Sequence, residues 1–133
     1  MDKLTVPASL QQMERVIDFV ETSLLRNGCG PNALKELLVA VDELFSNIAR
    51  YAYSGACGEA EITVKLRDRV ASVCFTDSGT PYNPLEREEP DVTLSIEDRK
   101  SGGLGIYMVK RSMDSIYYEY RDGKNILTVL KSI

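Results

Sequence analysis

The chain has 133 residues, a length that fits one domain with a single hydrophobic core. Apolar residues make up 44% and charged residues 27%, an ordinary globular balance, and the formal charge is −4 without a basic cluster. This balance argues against nucleic acids and membrane surfaces as partners, because both attract Lys and Arg gathered on one face.

The remaining composition predicts a cytoplasmic protein. Apolar runs extend for only a few residues, so no membrane span is expected, and residues 1–4 lack the pattern of a signal peptide. Cys29, Cys57 and Cys74 are odd in number and far apart, which fits reduced thiols better than a disulfide framework or a zinc site. The absence of histidine excludes a Ser-His-Asp triad and a His-ligated metal.

The first half of the chain predicts a strand and two helices. The strand covers residues 3–6, and the first helix runs from a cap at Ser9 to about Asn27. The second helix begins at Pro31, a residue suited to a first helical turn, and runs to about Tyr53. Apolar residues at helical spacing predict the core-facing stripes: Met13, Val16, Ile17, Val20 and Leu24, then Leu34, Leu37, Leu38, Val41, Phe45 and Ile48.

A strand pair follows. Apolar and polar residues alternate over 60–67, which predicts a half-buried strand, and the turn Asp68-Arg69 leads into a partner strand over 70–76 that ends at Asp77. The segment 78–101 is polar, lacks a period and contains three prolines. A loop of this length within a compact domain is usually functional or mobile.

The last quarter predicts a helix and a hairpin. The helix opens at Gly102-Gly103 and runs to about Met113, and strands over 115–121 and 124–131 are joined by a strong turn signal at Asp122-Gly123. The complete order is strand, helix, helix, hairpin, loop, helix, hairpin, without a repeat or a linker. We therefore expect residues 1–133 to form one α/β domain, a two-layer sandwich with helices on one face of a mixed, mostly antiparallel sheet.

One pair of polar residues lies in the second helix. Glu43 and Asn47 are four residues apart and so share a helix face, roughly opposite the apolar stripe. Such a pair can be an ordinary solvated face. It can also be a magnesium site, because an amide oxygen is a hard ligand and the neighbouring carboxylate can act as a base.

Two glycine-containing segments can each be interpreted either as ordinary structure or as a ligand-binding site. Asp77-Ser78-Gly79-Thr80-Pro81 directly follows a strand and can be a plain turn, or a place where a carboxylate accepts a hydrogen bond from a purine amine. The segment 101–106 opens a helix and can be a flexible helix start or an anion site. It is not a P-loop, because no Lys follows its glycines, and no βαβ unit surrounds it.

The order of these motifs removes much of the ambiguity. They are Glu43-x-x-x-Asn47, then Asp77-x-Gly79, then Gly103-x-Gly105. Together they resemble the GHKL (Bergerat) ATP-binding family, which has the histidine-kinase-like ATPase fold. The resemblance spans nearly the whole chain, includes the residues around the first and last motifs (42–47 and 103–109), and is greatest to the stand-alone bacterial anti-sigma-factor serine/threonine kinases.

The resemblance implies ATP and Mg²⁺ as cofactors. It implies that Asn47 holds magnesium, Glu43 is the general base, Asp77 binds the adenine amine and Gly79 lines the base. The helix start would bind phosphates through Gly102, Gly103, Leu104 and Gly105. Asp42 is a rival for the base, but it lies about 100° around the helix from its neighbour.

The loop before the last motif contains two candidate phosphate-binding residues. Arg99 and Lys100 adjoin the glycines and can contact the γ-phosphate, although six acidic residues in the same loop favour solvated, mobile charges. Many anti-sigma kinases have a histidine where this chain has Tyr51, a departure that affects the expected partner more than ATP binding.

Two functions therefore compete. The first is a protein kinase that phosphorylates a small antagonist protein of the anti-sigma factor antagonist type and sequesters a sigma factor or another target. The second is an ATP-gated binding protein with little turnover, in which nucleotide orders the loop. The presence of Glu43 favours the kinase, and a homodimer is a further expectation of the resemblance.

Overall fold

The computed structural model describes residues 1–86 and 103–133. The strands of this part are β1 (Asp2–Pro7), β2 (Glu59–Arg67), β3 (Val70–Asp77), β4 (Ser115–Arg121) and β5 (Lys124–Ser132). The α-helices are α1 (Met13–Arg26), α2 (Pro31–Asn47) and α3 (Gly103–Ser112). Short 3₁₀ turns lie at Leu10–Gln12 and Pro84–Glu86, and a π-helical turn covers Ile48–Ala52.

The five strands form one sheet in the order β1-β2-β3-β5-β4. Each of the four described pairings is antiparallel. Both predicted hairpins are present, and their turn residues have positive φ: 53° and 64° at Asp68 and Arg69, 54° and 77° at Asp122 and Gly123. Two successive positive φ angles are typical of the type I′ turns that match strand twist. The predicted α/β sandwich is therefore confirmed.

The core lies between the helices and one face of the sheet. Ile62, Phe75 and Leu127 stand side by side on β2, β3 and β5 and are buried, whereas Thr63 and Cys74 on the opposite face are partly exposed. Strict alternation along each strand produces this division, because successive side chains point to opposite faces. Full burial of a side chain such as Phe75 contributes about 1.5–3 kcal/mol.

The first two helices differ in detail from the sequence prediction. Ser9 is a cap, but its Oγ accepts from the backbone N–H of Gln11 at 3.3 Å and begins a 3₁₀ turn, so α1 starts at Met13. The second helix was expected to continue to about Tyr53, but its α-helical part ends at Asn47 and is followed by the π turn. The apolar stripe is largely as predicted, with Leu37, Val41 and Phe45 fully buried.

None of the helices in the described ranges is both long and apolar enough to cross a membrane. That residues 1–133 form one domain stays a prediction.

Candidate functional site

The last residue of α2 presents an amide to a pocket. Asn47 is 6% exposed, and its Nδ2 has no hydrogen-bond partner within residues 1–86 and 103–133. A buried donor without a partner costs about 1–3 kcal/mol, so a position of this kind is typical of a ligand site. The structure thus places the predicted metal ligand inside the molecule and not on a solvated helix face.

The π turn after Asn47 brings the chain against the turn after β3. The backbone N–H of Thr80 donates to the carbonyl oxygen of Ala52 at 2.7 Å. A Cβ built on Gly79 would lie 2.1 Å from that same oxygen. Glycine is therefore required at this position by the close approach of two backbones, a situation in which any side chain collides. A single π turn within a helix is frequent at functional sites.

Asp77 ends β3 and is held in one orientation. It is 6% exposed, and its Oδ1 accepts from the backbone N–H of Gly79 and from Nδ2 of Asn125, both at 2.9 Å. The first bond makes an Asx turn, a specific form of the plain turn that the sequence allowed at this place. The second comes from a strand 48 residues away in sequence and fixes the carboxylate at the pocket wall.

The sequence analysis did not identify Asn125. Its register partner is Asp77, and both side chains are buried on the helix-facing side of the sheet. Its Oδ1 accepts from the backbone N–H of Tyr82 at 3.1 Å and from the hydroxyl of Tyr118. An asparagine near the start of a strand gives no sequence signal of a functional role. Only the register of β3 and β5 shows that Asn125 belongs to the site.

The pocket between these residues is mostly apolar with a few polar groups, a character suited to a flat heteroaromatic ring. Burial raises the pKa of Tyr118, and the nearby Asp77 carboxylate acts in the same direction, so the phenol is neutral and donates its hydrogen. The residues that line the pocket are Leu44, Asn47, Ile48, Ala52, Phe75, Asp77, Thr80, Tyr82, Pro84, Tyr118, Asn125 and Leu127.

Tyr53 is a second residue that sequence analysis missed. Its hydroxyl accepts from the backbone N–H of Ser78 at 2.9 Å and donates to the carbonyl oxygen of Glu59 at 2.5 Å. Its ring lies so close to Gly58 that a Cβ there would be 2.2 Å from Cε1 of the ring. Tyr53 therefore holds the residue next to Asp77 against the start of β2.

Glu43 lies one helical turn before Asn47 in α2 but lines a different cavity. It is partly exposed and packs against α3, since a Cβ built on Gly105 would lie 2.2 Å from its Cδ. Glu43, Gly105 and Asp42 line a groove between the helices, separate from the pocket that contains Asn47. The rival carboxylate Asp42 is exposed and accepts from the Ser46 hydroxyl at 3.5 Å.

The remaining predicted site residues lie at or beyond the edge of the described chain. Arg99, Lys100 and Gly102 are outside the described residues, whereas Gly103 and Leu104 are the first two residues of α3. The loop after Asp77 is described as far as residue 86, and Lys110 of α3 donates from Nζ to the carbonyl oxygen of Leu85 at 3.1 Å.

Tyr51, which stands at the position of the expected histidine, lies in the π turn. It is 43% exposed, and its ring centroid is 6.2 Å from that of Tyr82 with the planes tilted by 44°. The residue therefore lies beside Tyr82, one of the residues that line the pocket.

Comparisons with known proteins agree with this geometry. The family model of the histidine kinase-like ATPase domain matches residues 6–131. The serine/threonine-protein kinase BtrW of Bordetella bronchiseptica is 26% identical over 129 residues, which are 96% of this chain and 91% of that protein. The serine-protein kinase RsbW of Bacillus thuringiensis is 26% identical over 106 residues, 77% of this chain and 66% of that protein.

Solved structures show the same fold. The structure of the RsbU and RsbW domains of Rv1364c from Mycobacterium tuberculosis superposes with a TM-score of 0.67 at 12% identity, covering 99% of this chain and 32% of that one. The histidine kinase AdeS of Acinetobacter baumannii gives a TM-score of 0.50 at 15% identity, with 99% and 68% covered. The family model, together with these structures of the same fold, confirms the resemblance that the three motifs indicated.

Proposed function

The chain belongs to the histidine kinase-like ATPase domain family, and on this basis we propose that it is an ATP-dependent protein serine/threonine kinase. Its substrate would be a small antagonist protein of the anti-sigma factor antagonist type, in a bacterial partner-switching pathway in the cytoplasm. The relatives BtrW and RsbW are named as protein kinases, which supports this activity. The observation on which the proposal depends is the pocket that contains both buried Asp77 and the Asn47 amide, whose Nδ2 has no hydrogen-bond partner among the described residues.

The proposed ligand of the pocket is an adenine ring. Its apolar walls would enclose the two faces of the base, and Asp77 would accept a hydrogen bond from the exocyclic amine. Gly79, next to this carboxylate, would leave room for the base edge. The phosphates would extend toward the start of α3, where Gly103, Leu104 and Gly105 present backbone N–H groups and the positive end of the helix dipole.

The preceding residues complete the proposed phosphate site. Gly102 would contribute a further backbone N–H, and Arg99 and Lys100 would contact the γ-phosphate. Their proximity to the glycines in sequence supports this assignment.

Asn47 is proposed as the protein ligand for Mg²⁺. Rotation of the amide by 180° exchanges its nitrogen and oxygen, so the same buried position can present the hard oxygen that magnesium prefers. The part of the chain that the structure describes contains no group of three Cys, Asp or Glu side chains able to hold a metal. Phosphate oxygens and water would therefore supply the other ligands, and the bound ion would offset charge on the transferring phosphoryl group.

Glu43 is proposed as the general base. It lies one helical turn before Asn47, the proposed metal ligand, and its carboxylate packs against Gly105 in the first turn of α3, where the phosphates are proposed to bind. From there it would orient the Ser or Thr hydroxyl of the substrate and accept its proton as the oxygen attacks phosphorus.

A second function, an ATP-gated protein-binding regulator with little phosphotransfer, has one observation in its favour. Lys110 connects α3 to the loop after Asp77 through Leu85, so nucleotide in the pocket can alter the outer surface of that loop. The proposed partners are a sigma factor or another target, and a second copy of the chain.

Incubation with ATP and an antagonist protein separates the two functions, because only a kinase leaves a phosphoprotein.

Calorimetric titration with ATP, with and without Mg²⁺, tests the nucleotide site. We expect Asp77→Asn to weaken ATP binding by about 10- to 100-fold, because a hydrogen bond to a charged group contributes about 1.5–3 kcal/mol. Asp68→Asn is the matched control, since Asp68 lies in an exposed turn and is not among the residues that line the pocket. Equal affinity of Asp77→Asn and wild type, or no binding by wild type with Mg²⁺, would refute the proposal.

A further inference from the structure

Asn125 is a pocket side chain that makes several hydrogen bonds. It is 6% exposed, and its Nδ2 donates to Oδ1 of Asp77 at 2.9 Å and to the carbonyl oxygen of Thr80 at 3.0 Å. A longer contact of 3.5 Å joins the same nitrogen to the carbonyl oxygen of Gly79. Its Oδ1 accepts from the N–H of Tyr82 and the hydroxyl of Tyr118. A side-chain amide has two N–H donors and two acceptor lone pairs, so the hydrogen-bonding capacity of Asn125 is fully satisfied.

The orientation of this amide is forced by its neighbours. The backbone nitrogen of Tyr82 can only donate, so the atom of Asn125 that faces it must be the oxygen. The nitrogen must then face Asp77 and Thr80, where the partners are oxygen atoms. Asparagine is therefore required in this position, because aspartate has no donor for the two oxygens and leucine has neither donor nor acceptor.

The hydrogen bond from Asn125 fixes the orientation of the Asp77 carboxylate. Its Oδ1 accepts from two donors, the side chain of Asn125 and the backbone N–H of Gly79. Its Oδ2 makes no hydrogen bond to any residue in the described ranges, and Asp77 lines the pocket. The carboxylate is thus fixed with one oxygen saturated and the other left as an acceptor.

We infer that Asn125 is a positioning residue that sets the base selectivity of the pocket. By holding Oδ1 of Asp77, it directs a fixed acceptor toward the ligand, so a purine with an exocyclic amine binds and a purine with a carbonyl in the same place is rejected. A site that matches a donor rejects an analogue without it because the buried acceptor is then left unpaired. The inference rests on the proposed ATP site and adds the residue that makes that site selective.

The test compares ATP with ITP, which differs at the ring position where adenine has its amine. Affinities for both nucleotides are measured by calorimetry with Mg²⁺ on the full chain. We expect wild type to prefer ATP at least tenfold and Asn125→Asp to reduce this preference to within about twofold. Asn125→Asp keeps the shape of the side chain but removes both donors and places a second carboxylate beside Asp77.

Two further variants distinguish a change in base selectivity from a general loss of structure. Tyr118→Phe removes only the hydroxyl that holds Oδ1 of Asn125, and we expect it to reduce the ATP preference about threefold while its melting temperature reports on folding. Asn83→Asp makes the same amide-to-acid change in the neighbouring loop, where the Asn83 oxygen accepts from the N–H of Leu85, and it should keep the wild-type preference.

The outcomes separate this inference from the proposed function. Equal losses of ATP and ITP affinity in Asn125→Asp, with the ratio unchanged, would show a structural role and overturn the inference. If Asn125→Asp does not fold, an unchanged ratio in a folded Tyr118→Phe overturns it equally. Equal binding of ATP and ITP by wild type would refute selectivity while leaving nucleotide binding in place, whereas no binding of either would refute both.

Discussion

Replacement of Gly79 by alanine tests whether the contact between two backbones shapes the pocket. The added methyl group would lie 2.1 Å from the carbonyl oxygen of Ala52 and 2.7 Å from its Cβ, distances that real contacts do not reach. The turn after β3 must therefore move, and the 2.7 Å hydrogen bond from Thr80 to Ala52 is lost with it. Overpacking costs about 1–3 kcal/mol, and loss of the hydrogen bond adds about 1 kcal/mol.

The expected total for Gly79→Ala is a destabilisation of about 2–4 kcal/mol, or a fall in melting temperature of about 6–20 °C for a domain of this size. Thermal denaturation followed by circular dichroism measures the fall, and calorimetry with ATP should show binding at least tenfold weaker. Gly30→Ala is the control, because an added Cβ there meets no atom within 4 Å. A melting temperature for Gly79→Ala equal to that of Gly30→Ala would refute the steric argument.

Three other substitutions test the remaining features. Glu43→Gln should keep ATP affinity within about threefold and lower phosphotransfer to an antagonist protein by about 100-fold or more, measured with radiolabelled ATP; transfer at the wild-type rate would exclude Glu43 as base. Asn47→Leu should raise the melting temperature without nucleotide, since it removes a buried Nδ2 that has no hydrogen-bond partner in the described part of the chain, and abolish the tightening of ATP binding by Mg²⁺; a lower melting temperature would contradict this reasoning. Ser23→Ala should make unfolding less dependent on acid pH, because the Ser23 hydroxyl and Arg26 hold the pKa of Asp2 below its ordinary value of 3.8. A carboxyl whose pKa is lower in the folded state stabilises the fold above pH 3.8, and this contribution is lost as pH falls through the folded-state pKa. Melting temperatures of wild type and Ser23→Ala at pH 7 and pH 3 measure the difference, and identical pH dependence would argue against the coupling.

Two residues of α2 with different proposed roles line different cavities. Asn47 faces the pocket with Asp77, and Glu43 faces the groove with Gly105. The change from α-helix to π-helix directly after Asn47 turns the chain so that Ala52 meets the turn after β3. A continuous α-helix to Tyr53 would place that carbonyl differently, so the π turn is part of how the pocket is built.

Much of the fold could be predicted because its signals are local. The alternation over Glu59–Arg67, the type I′ turns at Asp68 and Asp122, and the apolar stripe of α2 each depend on residues a few positions apart. The three motifs were equally visible, and their order identified the family that the comparisons confirm. The roles of Glu43, Asn47 and Asp77 stay predictions, although the structure places Asn47 and Asp77 in one pocket and Glu43 in the separate groove beside Gly105.

The sequence by itself determined the elements, their order, the family and the candidate residues of the nucleotide site. Only the tertiary structure decided how those residues are held. Asn125 meets Asp77 through the register of two strands 48 residues apart, and Tyr53 meets Ser78 across 25 residues. Neither contact has a local signal, because a hydrogen bond between distant segments depends on strand pairing and helix packing. For the same reason, the glycine at position 79 was visible as a turn former, while the backbone that requires it was not.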